Sequence, residues 1–204
     1  MAGFTALGVW QIERRAWKLD LISQVDSRIH QPPIAAPANS DKAYLHVAAH
    51  GVYLNDKETL VQASTELGAG YWVLTPLKTD DAIILVNRGF IPADAPHNKV
   101  TGATDVTGLL RLTEPHGRWP RTNDPAHDHW YSRDVAAIAA ARGLDHAAPY
   151  FIDADSGSDP TAFPRGGLTV TNFPNNHLIY ALTWFALAGL SAFGGYRAVR
   201  EHLS

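Results

Sequence analysis

The longest uncharged run in the sequence lies near its C-terminal end. Residues 178–196 read LIYALTWFALAGLSAFGGY, which is 19 residues without a charge. A bilayer core of about 30 Å requires about 20 apolar helical residues, so the run is long enough to cross a membrane. Arg197 and Arg200 follow it and indicate that this end faces the cytoplasm or matrix. Asn175 and Asn176 precede it, and either side chain can cap the start of the predicted transmembrane helix.

His177 stands at the predicted outer end of that helix. On a helix, His177, Tyr180 and Trp184 share one face with two small residues, Ala181 and Ala188. An imidazole above aromatic rings can hold haem iron axially while the rings cover the porphyrin. The alternative is that His177 caps or packs, with the two aromatic residues in an interfacial belt. Trp184 lies about 10 Å below His177 along the helix, which is deep for such a belt and favours a site.

The N-terminal region predicts a second helical segment. Residues 1–10 (MAGFTALGVW) are apolar but span only about 15 Å as a helix. We expect a partial first membrane anchor, which either dips into the membrane surface or is the tail of a longer span. Residues 11–30 predict an amphipathic helix that stops at Pro32-Pro33. Its basic residues either bind lipid headgroups or form a solvated face: Arg14, Arg15 and Lys18.

The central region, residues 31–166, is predicted to be rich in β-strands. A turn is expected at Asn87-Arg88-Gly89. A short helix is expected to begin at Ser132, its cap, and to run to Arg142, with Gly143 ending it. Predicted strands are Tyr44–Leu54, Tyr71–Leu77, Ile83–Val86, Val106–Leu112 and Pro149–Asp153. No helix long enough for a crossover separates them, so pairing should be mainly antiparallel. The expected fold class is α+β: an extracytoplasmic antiparallel domain with short helices, flanked by an N-terminal helix and a C-terminal transmembrane helix. A connection at 167–177 precedes the span, and 197–204 form a cytoplasmic tail.

Several kinds of chemistry have no support in the sequence. There is no cysteine, which excludes disulfides, thiolate metal sites and thiol catalysis. The net charge is -3 and basic residues are scattered, so we expect no nucleic-acid binding. No hydrolase or zinc-peptidase motif occurs, and we expect no enzyme activity. His127 and His129, with Asp124 nearby, make only a weak metal pattern. His46 and His50 are expected to do no more than pack.

Motifs along most of the chain resemble the surfeit locus protein 1 family of cytochrome c oxidase assembly factors. They occur in the family's order, and their combination is specific. They are Gly8-x-Trp10-Gln11-x-x-Arg14-x-x-x-Lys18, Gly70-Tyr71-Trp72-Val73-Leu74-Thr75-Pro76-Leu77, Val86-Asn87-Arg88-Gly89-Phe90-Ile91-Pro92, Val106-x-Gly108-Leu109-Leu110-Arg111, Trp130-Tyr131-x-Arg133-Asp134 and Asn175-Asn176-His177-Leu178-x-Tyr180-Ala181-x-Thr183-Trp184-Phe185.

The resemblance implies a function and a location. It implies a bacterial inner-membrane protein whose main domain faces the periplasm, and which binds haem a transiently and passes it to the oxidase catalytic subunit. Haem a synthase and the lipid bilayer are the other implied partners. His177 corresponds to the family's haem-contacting histidine, so His177 is the expected axial ligand, with Tyr180 and Trp184 beside it. The family's first span precedes the Gly-x-Trp-Gln motif, and here seven residues stand before Gly8.

Other residues in the motifs have two interpretations. Arg88 either anchors a turn or pairs with a haem propionate or an acidic oxidase surface. Trp130, like Trp72, is expected in the core or at an interface. Trp10 and Arg14 are candidates for partner or structural contacts. Two other functions remain open: a membrane-tethered scaffold that holds the oxidase subunit and haem a synthase without touching haem, and an extracytoplasmic hydrolase, for which no candidate residues are found.

Overall fold

The computed structural model describes residues 2–115, 121–159 and 161–202. It contains two compact units. Met1–Ser27 and Val170–Ser204 form the first, called the helical unit below, and Arg28–Thr169 form the second, called the β unit. The chain is therefore mixed α and β, with an N-terminal helix, a β-rich region and a C-terminal apolar helix, as the sequence predicts.

Two long helices make up the helical unit. Helix α1 runs without a break through Ala2–Ile29, so the predicted helix over residues 11–30 extends almost to the N-terminus. Helix α3 is His177–His202. Among the helices in the described part of the chain, α3 alone is long and apolar enough to cross a membrane, by length and composition. The division of α1 into an anchor and an amphipathic part stays a prediction.

Small residues allow α1 and α3 to pack closely. Gly8 on α1 is buried, as are Ala181 and Ala188 on α3. A Cβ atom added at Gly8 would lie 2.6 Å from the Phe185 ring, which is closer than any real Cβ contact. Small residues serve this purpose in membrane helices, where close backbone approach rather than the hydrophobic effect favours association.

The β unit is built on one seven-stranded sheet, whose strands are β1 Ile34–Ala35, β2 His46–Tyr53, β3 Thr59–Thr65, β4 Gly68–Lys78, β5 Ile83–Pro92, β6 Ala103–Leu112 and β7 Ala147–Ala154. Their order is β1-β2-β6-β7-β5-β4-β3, and an additional β2–β4 pairing joins β2, β6, β7, β5 and β4 into a closed ring. Pairing is mainly antiparallel, as predicted, but β1–β2 and β5–β7 are parallel. Strands β1 and β3 were not predicted.

Apolar side chains alternate between the two faces of the sheet. One face carries a core that includes Val47, Val86 and Tyr150. The other packs against helix α2, Val135–Arg142, through residues that include Phe151 and Ile138. This alternation of neighbours such as Tyr150 and Phe151 follows from the two-residue period of a strand, and it buries apolar residues on both faces.

The predicted turn at Asn87-Arg88-Gly89 is wrong, because these residues lie inside β5. Asn87 pairs with Leu74 of β4, and the register shifts by a bulge before the next pair, Phe90 with Trp72. Gly89 does have a positive φ of 128°. There it allows the Arg165 backbone to approach, since an added Cβ would lie 2.1 Å from the Arg165 carbonyl carbon. Cross-strand pairing has overridden the local turn preference of Asn and Gly.

Helix α2 ends as predicted but begins differently. Gly143 forms its C-cap with φ 57°. The N-cap is Asp134, whose Oδ1 accepts a hydrogen bond from the Ala137 amide at 3.1 Å, so the expected Ser132 cap is wrong. Ser132 is buried instead, and its hydroxyl accepts a hydrogen bond from Asn123 Nδ2 at 2.9 Å.

Candidate functional site

His177 is the first residue of α3, and its imidazole contacts α1. Its Nδ1 lies 2.7 Å from Oε1 of Gln11. A carboxamide oxygen can only accept a hydrogen bond, so the ring must carry its hydrogen on Nδ1 and donate it. In the neutral ring the lone pair then lies on the other nitrogen, Nε2, and no hydrogen bond from a described residue to Nε2 is found. This leaves the second ring nitrogen of a partly buried histidine available to bind a ligand.

Polar contacts also secure the start of α3. Asn175 Oδ1 accepts a hydrogen bond from the His177 backbone amide at 3.4 Å, which confirms the predicted capping ability of Asn175. Its side-chain Nδ2 is buried and has no hydrogen-bond partner among the described residues. From α1, Lys18 Nζ donates to the Pro174 carbonyl at 2.5 Å. These contacts hold the chain entering α3 against α1.

The aromatic residues below His177 face different surroundings. The Trp184 ring stacks on Phe4 of α1, with ring centroids 5.8 Å apart and an interplanar angle of 18°. Tyr180 is 55% exposed. The structure therefore brings His177 and Trp184 onto the α1 side of α3, while Tyr180 remains on the surface of the helical unit.

Sequence reasoning missed the two α1 partners, Phe4 and Gln11. Their signal was present, because Phe4, Gly8 and Gln11 are spaced by four and three residues and so lie on one face of a helix. Phe4 and Gly8 meet Trp184 and Phe185, whereas Gln11, further along α1, meets His177 at the start of α3, so the two helices are antiparallel. The face was missed because its residues differ in character: Phe4 is apolar, Gly8 is small and Gln11 is polar, so they do not form an apolar stripe.

The remaining α1 candidates are exposed. Trp10 is 52% exposed and Trp17 is 51% exposed. The Arg14 guanidinium lies 4.0 Å from the Trp17 ring centroid, a distance typical of a cation–π contact. Trp10 and Arg14 are thus placed on the surface of the helical unit, away from the buried Gly8 face.

Arg88 is held inside the β unit. Its side chain is 7% exposed, its Nη1 lies 3.6 Å from Glu58 Oε2, and its guanidinium lies 5.3 Å from the Tyr53 ring centroid. Glu58 also accepts hydrogen bonds from His97 Nε2 at 2.7 Å and from Thr75. Burial raises the pKa of Tyr53 to about 12, although the positive charge of Arg88 acts in the opposite direction and lowers this pKa. These contacts favour the anchoring interpretation of Arg88 over a contact with a ligand or partner.

Trp130 is a core residue. It is 1% exposed and belongs to the core cluster formed between the sheet and α2, which also includes Ile138 and Phe151. Its indole Nε1 donates to Asp128 Oδ1 at 2.6 Å, which satisfies the polar atom of an otherwise buried ring. Its position agrees with the core alternative predicted for it.

A buried carboxylate, Asp153, joins several elements of the β unit. It is 5% exposed and accepts hydrogen bonds from Asn87 at 2.7 Å, Arg111 at 3.0 Å, Arg133 at 3.1 Å and Thr169 at 3.0 Å. Both arginines also bind Glu114. The donors are distant in sequence, so no local pattern predicted this network. Because every partner is itself part of the β unit, the cluster holds the fold together.

Among the described residues, His127 and His129 are not joined by a third group placed to hold a metal ion. His127 Nδ1 lies 2.8 Å from Asp124 Oδ2, a hydrogen bond that lowers the pKa of Asp124, and the His127 and His129 ring centroids are 6.3 Å apart. No group of three His, Asp or Glu residues in the described ranges is placed to hold a metal ion.

His46 does more than pack, because its ring bonds at both nitrogens. Nδ1 lies 2.9 Å from the Gln31 carbonyl and Nε2 lies 3.1 Å from Asp155 Oδ2. Partial burial lowers the pKa of His46, but the two hydrogen bonds and the charge of Asp155 outweigh it and leave the pKa above its usual value.

In the part of the chain that the structure describes, the fold and the site define a protein with one helix able to cross a membrane, a second helix packed along it and a β unit. Comparison with known proteins identifies the family. The sequence model of the SURF1 family matches residues 1–189, and the chain belongs to this family.

Known relatives match nearly the whole chain. Surfeit locus protein 1 of Mus musculus is 35% identical over 216 residues, which cover 92% of this chain and 69% of that protein. The Homo sapiens protein of the same name is 33% identical, covering 92% and 71%. A SURF1-like protein of Monosiga brevicollis is 34% identical, covering 91% and 79%. The family resemblance predicted from the motifs is confirmed.

Proposed function

We propose that this chain is a cytochrome c oxidase assembly factor that binds haem a at His177 and passes it to the oxidase catalytic subunit. The observation that carries the proposal is the His177 imidazole at the start of α3, with Nδ1 bonded to Gln11 and Nε2 free of any described hydrogen-bond partner. Family membership supports the assembly role. Haem a synthase is the proposed donor of the cofactor.

The donor set of the site fits a haem. A neutral imidazole with one nitrogen bonded to the protein and the other free is the form that ligates iron. When bound, haem a would supply an iron with an open axial position and a large apolar ring. Trp184, stacked on Phe4, offers an apolar surface one to two turns along α3 from His177. The unpartnered amide nitrogen of Asn175 is a donor suited to an acidic substituent.

These residues divide the work of carrying a haem. His177 binds the iron, and Gln11 and Asn175 hold the imidazole and the backbone that bears it. Trp184 and Phe4 exclude water from the membrane side of the site. His177 would supply one bond to the iron, which suits transient binding because the cargo would leave by breaking that bond alone.

The proposed location is the bacterial inner membrane, with the β unit in the periplasm and the C-terminus in the cytoplasm. The support is the position of Arg197 and Arg200 after the apolar run.

The absence of cysteine makes sidedness directly testable. A single cysteine at Ser191 or at Ser158, in a chain that has no other, can be labelled in intact cells with a membrane-impermeant maleimide. We expect labelling of the Ser158 variant in cells with a permeable outer membrane and none of the Ser191 variant, which lies within the span. Labelling of Ser158 only after lysis would overturn the proposed orientation.

The haem proposal is tested by titrating purified full-length protein in detergent with haem a and following the Soret band. We expect His177→Ala to lose the spectral change of the wild type, while His127→Ala, an exposed histidine in the β unit, retains it. Identical Soret changes in wild type and His177→Ala would refute His177 as the ligand.

A second candidate function is a membrane-tethered scaffold that holds the oxidase subunit and haem a synthase without binding haem. The exposed Trp10 and the Arg14–Trp17 pair on α1 favour it, since exposed aromatic and Arg side chains are typical of binding surfaces. A scaffold predicts fully haemylated oxidase in cells carrying His177→Ala and loss of assembly with Trp10→Ala. A haem carrier predicts that His177→Ala impairs haemylation of the oxidase more than Trp10→Ala does.

A further inference from the structure

We infer that Gln11 is a positioning residue that selects the tautomer and the orientation of the His177 ring. The inference deepens the proposed function, because the selected tautomer is the one that presents Nε2 to iron. It stands on the 2.7 Å contact between Gln11 Oε1 and His177 Nδ1, which joins residues 166 positions apart in the chain.

The chemistry of the two side chains gives the contact its consequence. A neutral imidazole carries one hydrogen, on either nitrogen, and the partner of one nitrogen decides which tautomer is present. An oxygen facing Nδ1 requires the hydrogen there, so Nε2 must be the lone-pair nitrogen. Histidines that bind metals usually donate their other N–H to an acceptor in this way, which also fixes the ring plane. Without Gln11, both tautomers and several ring orientations become accessible.

Packing between the helices sets the position of Gln11 itself. One turn before it, Gly8 lets α1 approach α3 until a Cβ atom would meet the Phe185 ring. A further turn away, Phe4 stacks on Trp184. Beyond Gln11, Lys18 binds the Pro174 carbonyl. Contacts on both sides of Gln11 thus fix its distance from His177. The packing of α1 against α3 therefore helps to hold the two side chains at hydrogen-bond distance.

The first experiment observes the tautomer without haem. Full-length protein labelled with ¹⁵N-histidine is prepared in detergent, and the His177 ring nitrogens are assigned by the loss of their signals in His177→Ala. We expect hydrogen on Nδ1 in the wild type. Gln11→Met keeps the length of the side chain but removes the acceptor, and should give a mixture of tautomers. Gln11→Glu keeps an acceptor oxygen and should retain the Nδ1–H form.

The matched control is Gln24→Met, the same change on the same helix. Gln24 is exposed and its side chain bonds to Asp20 on the same helix, so its substitution should leave the His177 signals unchanged. Gln11→Ala serves as a second variant if Gln11→Met fails to fold by circular dichroism. An Nε2–H tautomer in the wild type, or an unchanged tautomer in the folded variant that lacks the acceptor (Gln11→Met or Gln11→Ala), would overturn the inference.

The second experiment measures haem a affinity of the same proteins by Soret titration. We expect Gln11→Met to bind about 10–100-fold more weakly, the usual cost of losing such a supporting hydrogen bond. Gln11→Glu and Gln24→Met should bind within a few-fold of the wild type. If His177→Ala abolishes binding while Gln11→Met binds as the wild type does, the positioning role is refuted and the haem carrier stands. If His177→Ala binds normally, the proposed function is refuted, whatever the tautomer.

Discussion

The helical unit and the β unit use polar side chains in opposite ways. In the β unit, buried polar groups bind one another, and Asp153 alone accepts from four donors. In the helical unit, by contrast, the hydrogen bond between Gln11 of α1 and His177 of α3 uses one ring nitrogen and leaves the other without a described partner. A satisfied network stabilises a fold, whereas an unused nitrogen is able to do chemistry. The available ring nitrogen therefore lies in the helical unit, which is the smaller of the two.

The two units also bury apolar surface differently. Large core side chains of the β unit such as Leu74 and Phe151 are 0% exposed. On α3, Leu190 is 66% exposed and Phe193 is 63% exposed. In water such exposure would be costly, but a lipid environment solvates these side chains. The helices accordingly associate through small residues and a hydrogen bond rather than through a large apolar core.

The largest expected effect tests the structural role of the β-unit network. Asp153→Ala leaves the Arg111 and Arg133 charges buried without their shared carboxylate, and removing one partner of a buried ion pair costs about 3–5 kcal/mol of the free energy of unfolding. Urea denaturation followed by circular dichroism measures it. Asp105→Ala is the control, because the Asp105 side chain is 87% exposed and should change stability by about 0.5 kcal/mol or less. If both changes lowered the free energy of unfolding equally, the buried Asp153 network would stabilise the fold no more than an exposed aspartate does.

The next effect concerns the close approach of α1 to α3. Gly8→Leu inserts a side chain where the Phe185 ring lies, and overpacking of this kind costs about 1–3 kcal/mol. We expect the helices to separate, the Gln11–His177 hydrogen bond to break and haem a affinity to fall about tenfold or more by Soret titration. Gly3→Leu is the control on the same helix, because no atom lies within 4 Å of a Cβ added there. Similar losses in both variants would show that the haem site does not depend on this packing.

A smaller effect is expected for the aromatic pair of the helical unit. Stacked aromatic pairs contribute about 0.5–1.5 kcal/mol beyond their buried area. Phe4→Leu, Trp184→Leu and the double variant form a cycle in which we expect a coupling of that size for Phe4 and Trp184. Haem a affinity is the measurement. If the two substitutions changed haem a affinity additively, each ring would act alone and the two rings would not form a shared apolar surface.

The smallest effect is a pH dependence in the β unit. Because the pKa of His46 is raised in the folded state, its contribution to stability is fully present below the unfolded pKa and is lost as pH rises through the folded pKa. We expect the stability difference between wild type and His46→Ala to shrink between pH 6 and 8, by less than about 1 kcal/mol because the pair is partly exposed. Asp155→Asn should flatten the profile. A difference that grows with pH would contradict the hydrogen bonds assigned to His46.

Several local features were predictable because their physical cause is local. The uncharged run predicted α3, Gly143 predicted the end of α2, and the turn preference of Gly89 correctly indicated a positive φ. The Asn87 turn was predicted wrongly, because pairing with Leu74 and the bond to Asp153 outweigh the local preference. Strand β3 was missed, since its pattern TLVQAST is weak without the hairpin to β4.

By itself, the sequence determined the apolar helix, the mainly antiparallel β unit and, through its motifs, the SURF1 family, because each depends on the order of residues in short segments. Tertiary structure alone decided that Arg88 is held by Glu58, that Asp153 gathers its donors and that Gln11 faces His177. These contacts join residues far apart in the chain. Their energies depend on distance and direction in space, and no local pattern of residues records either.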